Sequence, residues 1–175
     1  YAPKGVSVIL HRTRESRKYQ TFVFDGWLGG FYASPGMQGT RAGLPMACAW
    51  AVMSHLGIDG YVDLTRRTLE NADAFRAGVE ATDGIRVLGD STFHLVAVAS
   101  DPASEPEIDI FALGDALLAK GWFHDRQGPP DSLHSTISNS NTGVIDDYLT
   151  DLAACVAAVV GTRTDDRSTN YATLE

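Results

Sequence analysis

Cysteine is scarce in this 175-residue chain, with Cys48 and Cys155 the only two. Two are too few for a disulfide framework and fit a reducing cytosol, so a cytoplasmic location is expected. The five histidines, His11, His55, His94, His124 and His134, are scattered. None stands at zinc-ligand spacing to a cysteine or another histidine, so no metal centre is expected. Basic charge is also short, with 14 Lys+Arg against 22 Asp+Glu and a formal net charge of −8. Nucleic-acid binding is therefore not expected, because phosphate neutralisation needs a basic surface. A small anionic ligand needs only a local patch and stays open. No apolar run approaches the roughly 20 residues of a membrane span, and no signal peptide opens the chain. Internal repeats and low-complexity tracts are absent.

What is present is ordinary globular material, with 44% hydrophobic and 21% charged residues. The length fits one domain or a large piece of one, able to remove about 70% of its unfolded surface from water. The chain opens at Tyr1 without methionine, and a strand-like run follows almost at once. It reads as a chain cut inside a longer protein, the alternative being a processed N-terminus.

Gly5 to Leu10 is β-branched and apolar, the pattern of a buried strand. His11 to Tyr19 is basic and reads as a solvated loop or short helix. Phe22 to Gly43 is rich in glycine and aromatics, including Trp27, Gly29, Gly30, Tyr32 and Gly39, and reads as a loop whose backbone approaches something closely. A helix is expected from Leu44 to Leu56, with Pro45 in its first turn and Gly57 after its end. It is apolar around most of its circumference, which predicts burial. A second helix follows from Tyr61 to Ala81. Strands are expected at Ile85–Leu88 and Leu95–Ala99, and an amphipathic helix at Asp109–Lys120 with Ile110, Leu113, Leu117 and Leu118 inward. A strand is expected to start at Trp122 and another to run over Leu133–Ile137. Pro129-Pro130 breaks the chain between them. Asn141 or Thr142 is placed to cap a last helix from Gly143 to Val160. From Thr162 to Glu175 the chain is polar and reads as a mobile tail. Gly84 to Val160 is thus expected to form a compact ββαβα unit with one helical face over a small sheet.

Two places carry candidate chemistry. Lys4 is one of only three lysines, beside Lys18 and Lys120. Pro3 stiffens the backbone before it, and Gly5 leads into the strand-like run. A lysine held there is suited to meeting a phosphate or carboxylate, or to moving a proton. The alternative is a solvated lysine at a frayed end. Gly39-Thr40-Arg41-Ala42-Gly43 stands just before an apolar helix. Free backbone N–H groups, a hydroxyl and a guanidinium at a helix start make an anion site, and the alternative is an ordinary capped turn.

The run Tyr1-Ala2-Pro3-Lys4-Gly5 resembles the region just after the cofactor lysine in the sphingosine-1-phosphate lyase family, which is related to the group II amino-acid decarboxylases. Trp27-Leu28-Gly29-Gly30-Phe31-Tyr32-Ala33-Ser34-Pro35 and Gly39-Thr40-Arg41-Ala42-Gly43 are similar to W-x-G-G-x-Y-x-S-P and G-S-R-x-G runs of the same family. Gly60-Tyr61-Val62, Lys120-Gly121-Trp122, Pro129-Pro130 and His134 continue the likeness in order.

The resemblance implies an α/β fold. It would be the C-terminal part of a fold-type I pyridoxal-phosphate enzyme, meaning the end of the large domain plus a small α/β domain. The implied divisions are 1–57, with the active-site loop and the start of the connecting helices, 58–161 as the small domain, and 162–175 as a polar tail. The implied activity is that of a carbon–carbon lyase (an aldehyde-lyase) using pyridoxal 5'-phosphate on a phosphorylated long-chain amino alcohol. Alternatives are an amino-acid decarboxylase of the same cofactor class and a non-catalytic dimerising fragment. The family's Schiff-base lysine lies in a His-Lys-Tyr-Gly segment directly ahead of this run and is not in this chain. Lys4 resembles the second active-site lysine, implied to meet substrate phosphate or assist proton transfer. Thr40 matches a serine whose hydroxyl reaches the cofactor phosphate of the neighbouring subunit, with Gly39 and Arg41 in the same turn. The implied partners are a second copy sharing active sites and the N-terminal part of the same protein. Phe123-His124-Asp125-Arg126 depart from the family, and His134 reads as a buried, satisfied histidine.

Overall fold

The computed structural model describes residues 1–37 and 39–170. It divides into two compact units, Tyr1–Gly60 and Tyr61–Glu175. Each is considered by itself.

The first unit opens in irregular structure. Helix α1 (Arg14–Lys18) is capped by Thr13, whose hydroxyl accepts the Ser16 N–H at 3.1 Å. Glu15 in its first turn and Arg17 and Lys18 in its last complement the helix dipole. Strands β1 (Phe22–Phe24) and β2 (Tyr32–Ser34) then pair antiparallel, Phe22 opposite Ser34 and Phe24 opposite Tyr32. This corrects the expectation of an unbroken loop from Phe22 to Gly43. The aromatics hold one another across the hairpin: Phe22 lies 6.3 Å from both Phe24 and Tyr32, and Trp27 meets Tyr32 edge-on at 6.4 Å. Gly30 closes the turn at φ +86°, a backbone region that favours glycine.

Two further expectations are corrected here. Gly5–Leu10 is not a strand, and Val8, Ile9 and Leu10 are exposed. Strand propensity forms a strand only beside a partner, and no described strand pairs with this run. Helix α2 (Leu44–Glu80) does begin at Leu44, and Gly57 at φ 61°, ψ −176° interrupts it where two helices were expected. Its first half is not buried within this chain, since Met46, Trp50 and Met53 are exposed. Ser34 is the only buried residue among those described in this unit.

The second unit holds the core. Strands β3 (Ile85–Val87), β4 (Leu95–Ser100), β5 (Asp125–Gln127) and β6 (Ser132–Thr136) form an antiparallel sheet of order β3-β4-β6-β5. The end of α2, helix α3 (Ile110–Ala119) and helix α4 (Ile145–Val159) supply the apolar residues that join it. Val96 and Val98 of β4 and Leu133 of β6 meet Phe75 and Val79 of α2, Phe111, Leu113 and Leu117 of α3, and Leu152 and Val156 of α4. Gly78 permits the close approach of α2 to α4, for a Cβ there would lie 2.3 Å from Leu149 Cδ2.

The order is ββαββα rather than ββαβα. The strand expected to start at Trp122 begins instead at Asp125 (Asp125–Gln127), and the Gly128–Asp131 turn folds it back onto β6. Leu118 is exposed rather than inward, while Phe111 and Ala112 are buried in its place. Helix α3 is apolar nearly all round and packs on both β6 and α4, so periodicity alone did not rank its faces. Helix α4 starts at Ile145 without a side-chain cap. Asn141 instead accepts the Ser138 N–H at 2.8 Å in a capping box of a short 3-10 turn, and Thr142 accepts from Asn71 at 3.0 Å.

The polar tail is tied down as far as residue 170, and residues 171–175 lie outside those described. The Asp109 carboxylate caps α3 at the Phe111 N–H (3.1 Å), accepts the Thr164 N–H (3.1 Å) and takes the Arg167 guanidinium at 2.7 and 2.9 Å. Burial pushes this carboxyl up, but Arg167 and the two amides together hold it below its ordinary range. Arg167 also pairs with Asp131 and lies over the Phe111 ring at 4.5 Å, and the Asn170 N–H reaches the Arg126 carbonyl of edge strand β5 at 2.9 Å. Polarity predicts a loose tail only where no buried charge waits for it, and here Asp109 does. Asp109→Ala is expected to lower stability by about 2 kcal/mol, through the lost cap and the freed donors. Asp109→Asn keeps the cap and is expected to cost about half as much, as measured by denaturant unfolding.

Candidate functional site

The first unit brings two of the candidate segments together. Gly5 takes φ +105°, and a Cβ on it would lie 3.3 Å from Pro45 Cγ. The Lys4–Gly5 corner therefore sits against the second residue of α2, directly after the Gly39–Gly43 turn. The Gly43 carbonyl accepts the Ala47 N–H at 3.0 Å and opens the helix. In the first turn the Leu44 and Met46 amides have no intrahelical partner and Pro45 carries no N–H, so two free donors give this end its partial positive charge. A Cβ on Gly39 or Gly43 would meet nothing within 4 Å, so the turn is open to an approaching group. Gly36 is close-packed instead: a Cβ there would lie 2.9 Å from Arg41 Nη2. Lys4, Gly39, Thr40 and Arg41 are all exposed. Among the described residues no ion pair engages Lys4 or Arg41. An open glycine amide, a hydroxyl and a guanidinium at a helix start fit a phosphate group.

Residues with no motif of their own shape this turn. Gln20 donates from Nε2 to the Pro35 carbonyl at 3.0 Å, and His11 Nε2 lies 2.7 Å from Gln20 Oε1. The buried Ser34 hydroxyl bonds to the Gly36 carbonyl. Residue type hinted at none of these, because they read as parts of a basic run and a loop.

A cavity of about 180 Å³ lies in the second unit, lined among others by Trp122, His124, His134, Ser135 and Tyr148. His124 Nδ1 is 3.0 Å from Ser135 Oγ, and its ring stands 5.5 Å from that of Tyr148. Burial pushes the imidazole down to about 4, so it is neutral at neutral pH. Burial likewise raises the Tyr148 phenol. His134 is half-buried on β6, on the wall of the same cavity. Sequence reading marked His124 only as a departure from a family pattern. Its contact with Ser135 is made between segments eleven positions apart, which no local pattern announces. The described residues contain no cluster of metal-ligating side chains.

No family model matches the chain. Solved structures give the class. Over 86% of this chain and 33% of the other, the fold matches the sphingosine-1-phosphate lyase of Burkholderia pseudomallei with TM-score 0.74 and 32% identity. It matches glutamate decarboxylase of Lactobacillus brevis over 84% and 35%, with TM-score 0.65 at 17% identity. The architecture is that of one part of the fold-type I pyridoxal-phosphate enzymes. Within that class the chain is related to the sphingosine-1-phosphate lyases, and the resemblance read from its motifs holds across nine tenths of its length. It is 35% identical to the lyase of Oryza sativa over 158 residues, which are 90% of this chain and 28% of that protein. The chain thus spans less than a third of the curated relative's length.

The buried imidazole makes the second unit acid-sensitive. The unfolded chain takes up a proton at His124 near pH 6.5, and the folded chain refuses it until about pH 4. Acidification through that window is expected to cost the fold about 3 kcal/mol, with no further loss from this group below it. His124→Gln should narrow the gap between melting temperatures at pH 7 and pH 4.5, and an unchanged gap would place the acid sensitivity elsewhere.

Proposed function

We propose that this chain is the C-terminal portion of a pyridoxal-phosphate-dependent carbon–carbon lyase of the sphingosine-1-phosphate lyase type. The observation that carries the proposal is the kinship over nine tenths of the chain, joined to an open, phosphate-suited turn at the helix start on which the Lys4–Gly5 corner packs. The substrate is a phosphorylated long-chain amino alcohol. The chemistry the cofactor supplies when bound is that of an electron sink for the breaking carbon–carbon bond.

The work of this chain is to hold and orient. The Gly39 amide, the Thr40 hydroxyl and the Arg41 guanidinium bind the cofactor phosphate, with the start of α2 behind them. Threonine keeps the hydroxyl of the serine in the resembling motif, so this contact survives the exchange. The Lys4 ammonium meets the substrate phosphate or hands a proton to the reacting centre, and the Gly5 backbone beside it packs against Pro45. The lysine that anchors the cofactor covalently belongs to a segment ahead of this chain. The exposed apolar surfaces of the first unit are covered by the rest of the longer protein and by a second subunit, whose site receives Thr40. The location is cytoplasmic, in keeping with two unpaired cysteines. Among the described residues no helix is long and apolar enough to cross a membrane.

In the full-length protein Lys4→Ala is expected to lower turnover about 100-fold while leaving the cofactor absorbance intact. Unchanged turnover removes Lys4 from the reaction. Borohydride reduction of this polypeptide with added cofactor should leave Lys4 without a pyridoxyl group by mass spectrometry. A label on Lys4 would assign it the anchoring role instead.

A further inference from the structure

We propose that Gln20 is a positioning residue for the phosphate turn, acting through the backbone of Pro35 and Gly36. The inference rests on the reading of Thr40 and Arg41 as phosphate ligands. Helix α1 provides the base, since the Gln20 N–H bonds to the Arg17 carbonyl at 3.1 Å as that helix ends. From there the Gln20 carboxamide spans to two places. Its oxygen lies 2.7 Å from His11 Nε2, and its nitrogen 3.0 Å from the Pro35 carbonyl oxygen. A carboxamide oxygen only accepts, so His11 carries its proton on Nε2 and donates. A carbonyl oxygen only accepts, so the amide nitrogen must face Pro35. The Pro35 contact thereby fixes the orientation of the carboxamide, and a flip would set its oxygen against the Pro35 carbonyl and lose that bond.

The clamped carbonyl is well placed to matter. The Gly36 amide lies 3.4 Å from Ser34 Oγ, and the same hydroxyl bonds to the Gly36 carbonyl, so the corner is pinned on both sides. Ser34 is 7% exposed. Arg41 Nη2 passes directly over Gly36. Moving Pro35 would therefore move the surface on which the Arg41 guanidinium rests, and with it the turn carrying Gly39 and Thr40. Gln20 and His11 are themselves exposed in this chain, so the contacts contribute little to global stability. Their effect is on where the turn sits.

The test uses the full-length protein stripped of cofactor and titrated with pyridoxal phosphate and, separately, with pyridoxal, which lacks the phosphate. Gln20→Met keeps the length of the side chain without the hydrogen bonds. It should weaken binding of pyridoxal phosphate about three- to tenfold, the worth of one or two such bonds, and leave pyridoxal unchanged. Thr40→Ala run alongside should show the same phosphate-selective loss. If Gln20→Met weakens both ligands equally, or neither, while Thr40→Ala remains phosphate-selective, the Gln20 proposal is wrong and the reading of the turn stands. If Thr40→Ala is not phosphate-selective, the reading of the turn fails and the role of Gln20 falls with it.

Discussion

The face of the small sheet bearing Val96, Val98 and Leu133 is kept from water by Phe75, Phe111, Leu113 and Leu152. The second unit follows from that contact. Each of those side chains contributes on the order of 1.5–3 kcal/mol by leaving water. The helices are drawn onto one face because only there do they find apolar partners. Once that layer forms, its rim is set. Asp109 at the start of α3 becomes a largely buried carboxylate, and it recruits Arg167 from a predominantly polar tail. His124, just ahead of β5, meets the Ser135 hydroxyl of β6, and burial there keeps its ring neutral.

The first unit shows the opposite condition. Its apolar side chains are abundant, yet Trp50, Met53, Leu10 and Phe31 stay in contact with solvent, and only Ser34 among its described residues is buried. What order it has comes from local devices: a capped single-turn helix, an aromatic hairpin, and a glutamine bridging segments fifteen positions apart. These devices meet around Pro35 and Gly36. A unit with so little core leaves much of its apolar surface uncovered within this chain. The chain spans less than a third of its lyase relative's length.

Legibility in the sequence tracked the range of the forces involved. Helix α3 was readable because Asp109 is a strong cap placed just before an apolar run, and both act within a few residues. The break at Gly57 was readable for the same reason. The start of α4 was not, since Asn141 has two possible uses and Ser138 claimed it. Strand β5, with Asp125, Arg126 and Gln127, has no apolar pattern at all and exists only because β6 offers it an edge. The Gly5–Leu10 run has the pattern of a strand and no described neighbour to pair with. The Gly39–Gly43 turn and Lys4 announced themselves by residue type, while Gln20, His11 and Ser34 did not, because their roles are made by contacts across the hairpin.

By itself, the sequence determined the family resemblance, the helical segments and the residue types of the anion-suited turn. These depend on short motifs, caps and periodicities that act along the chain. Tertiary structure alone decided which apolar segments are buried, that the tail is latched to Asp109, that His124 is neutral, and that the Lys4–Gly5 corner rests on Pro45 at the head of α2. Burial and close approach are properties of pairs of distant residues, and no single stretch of chain encodes its partner's position.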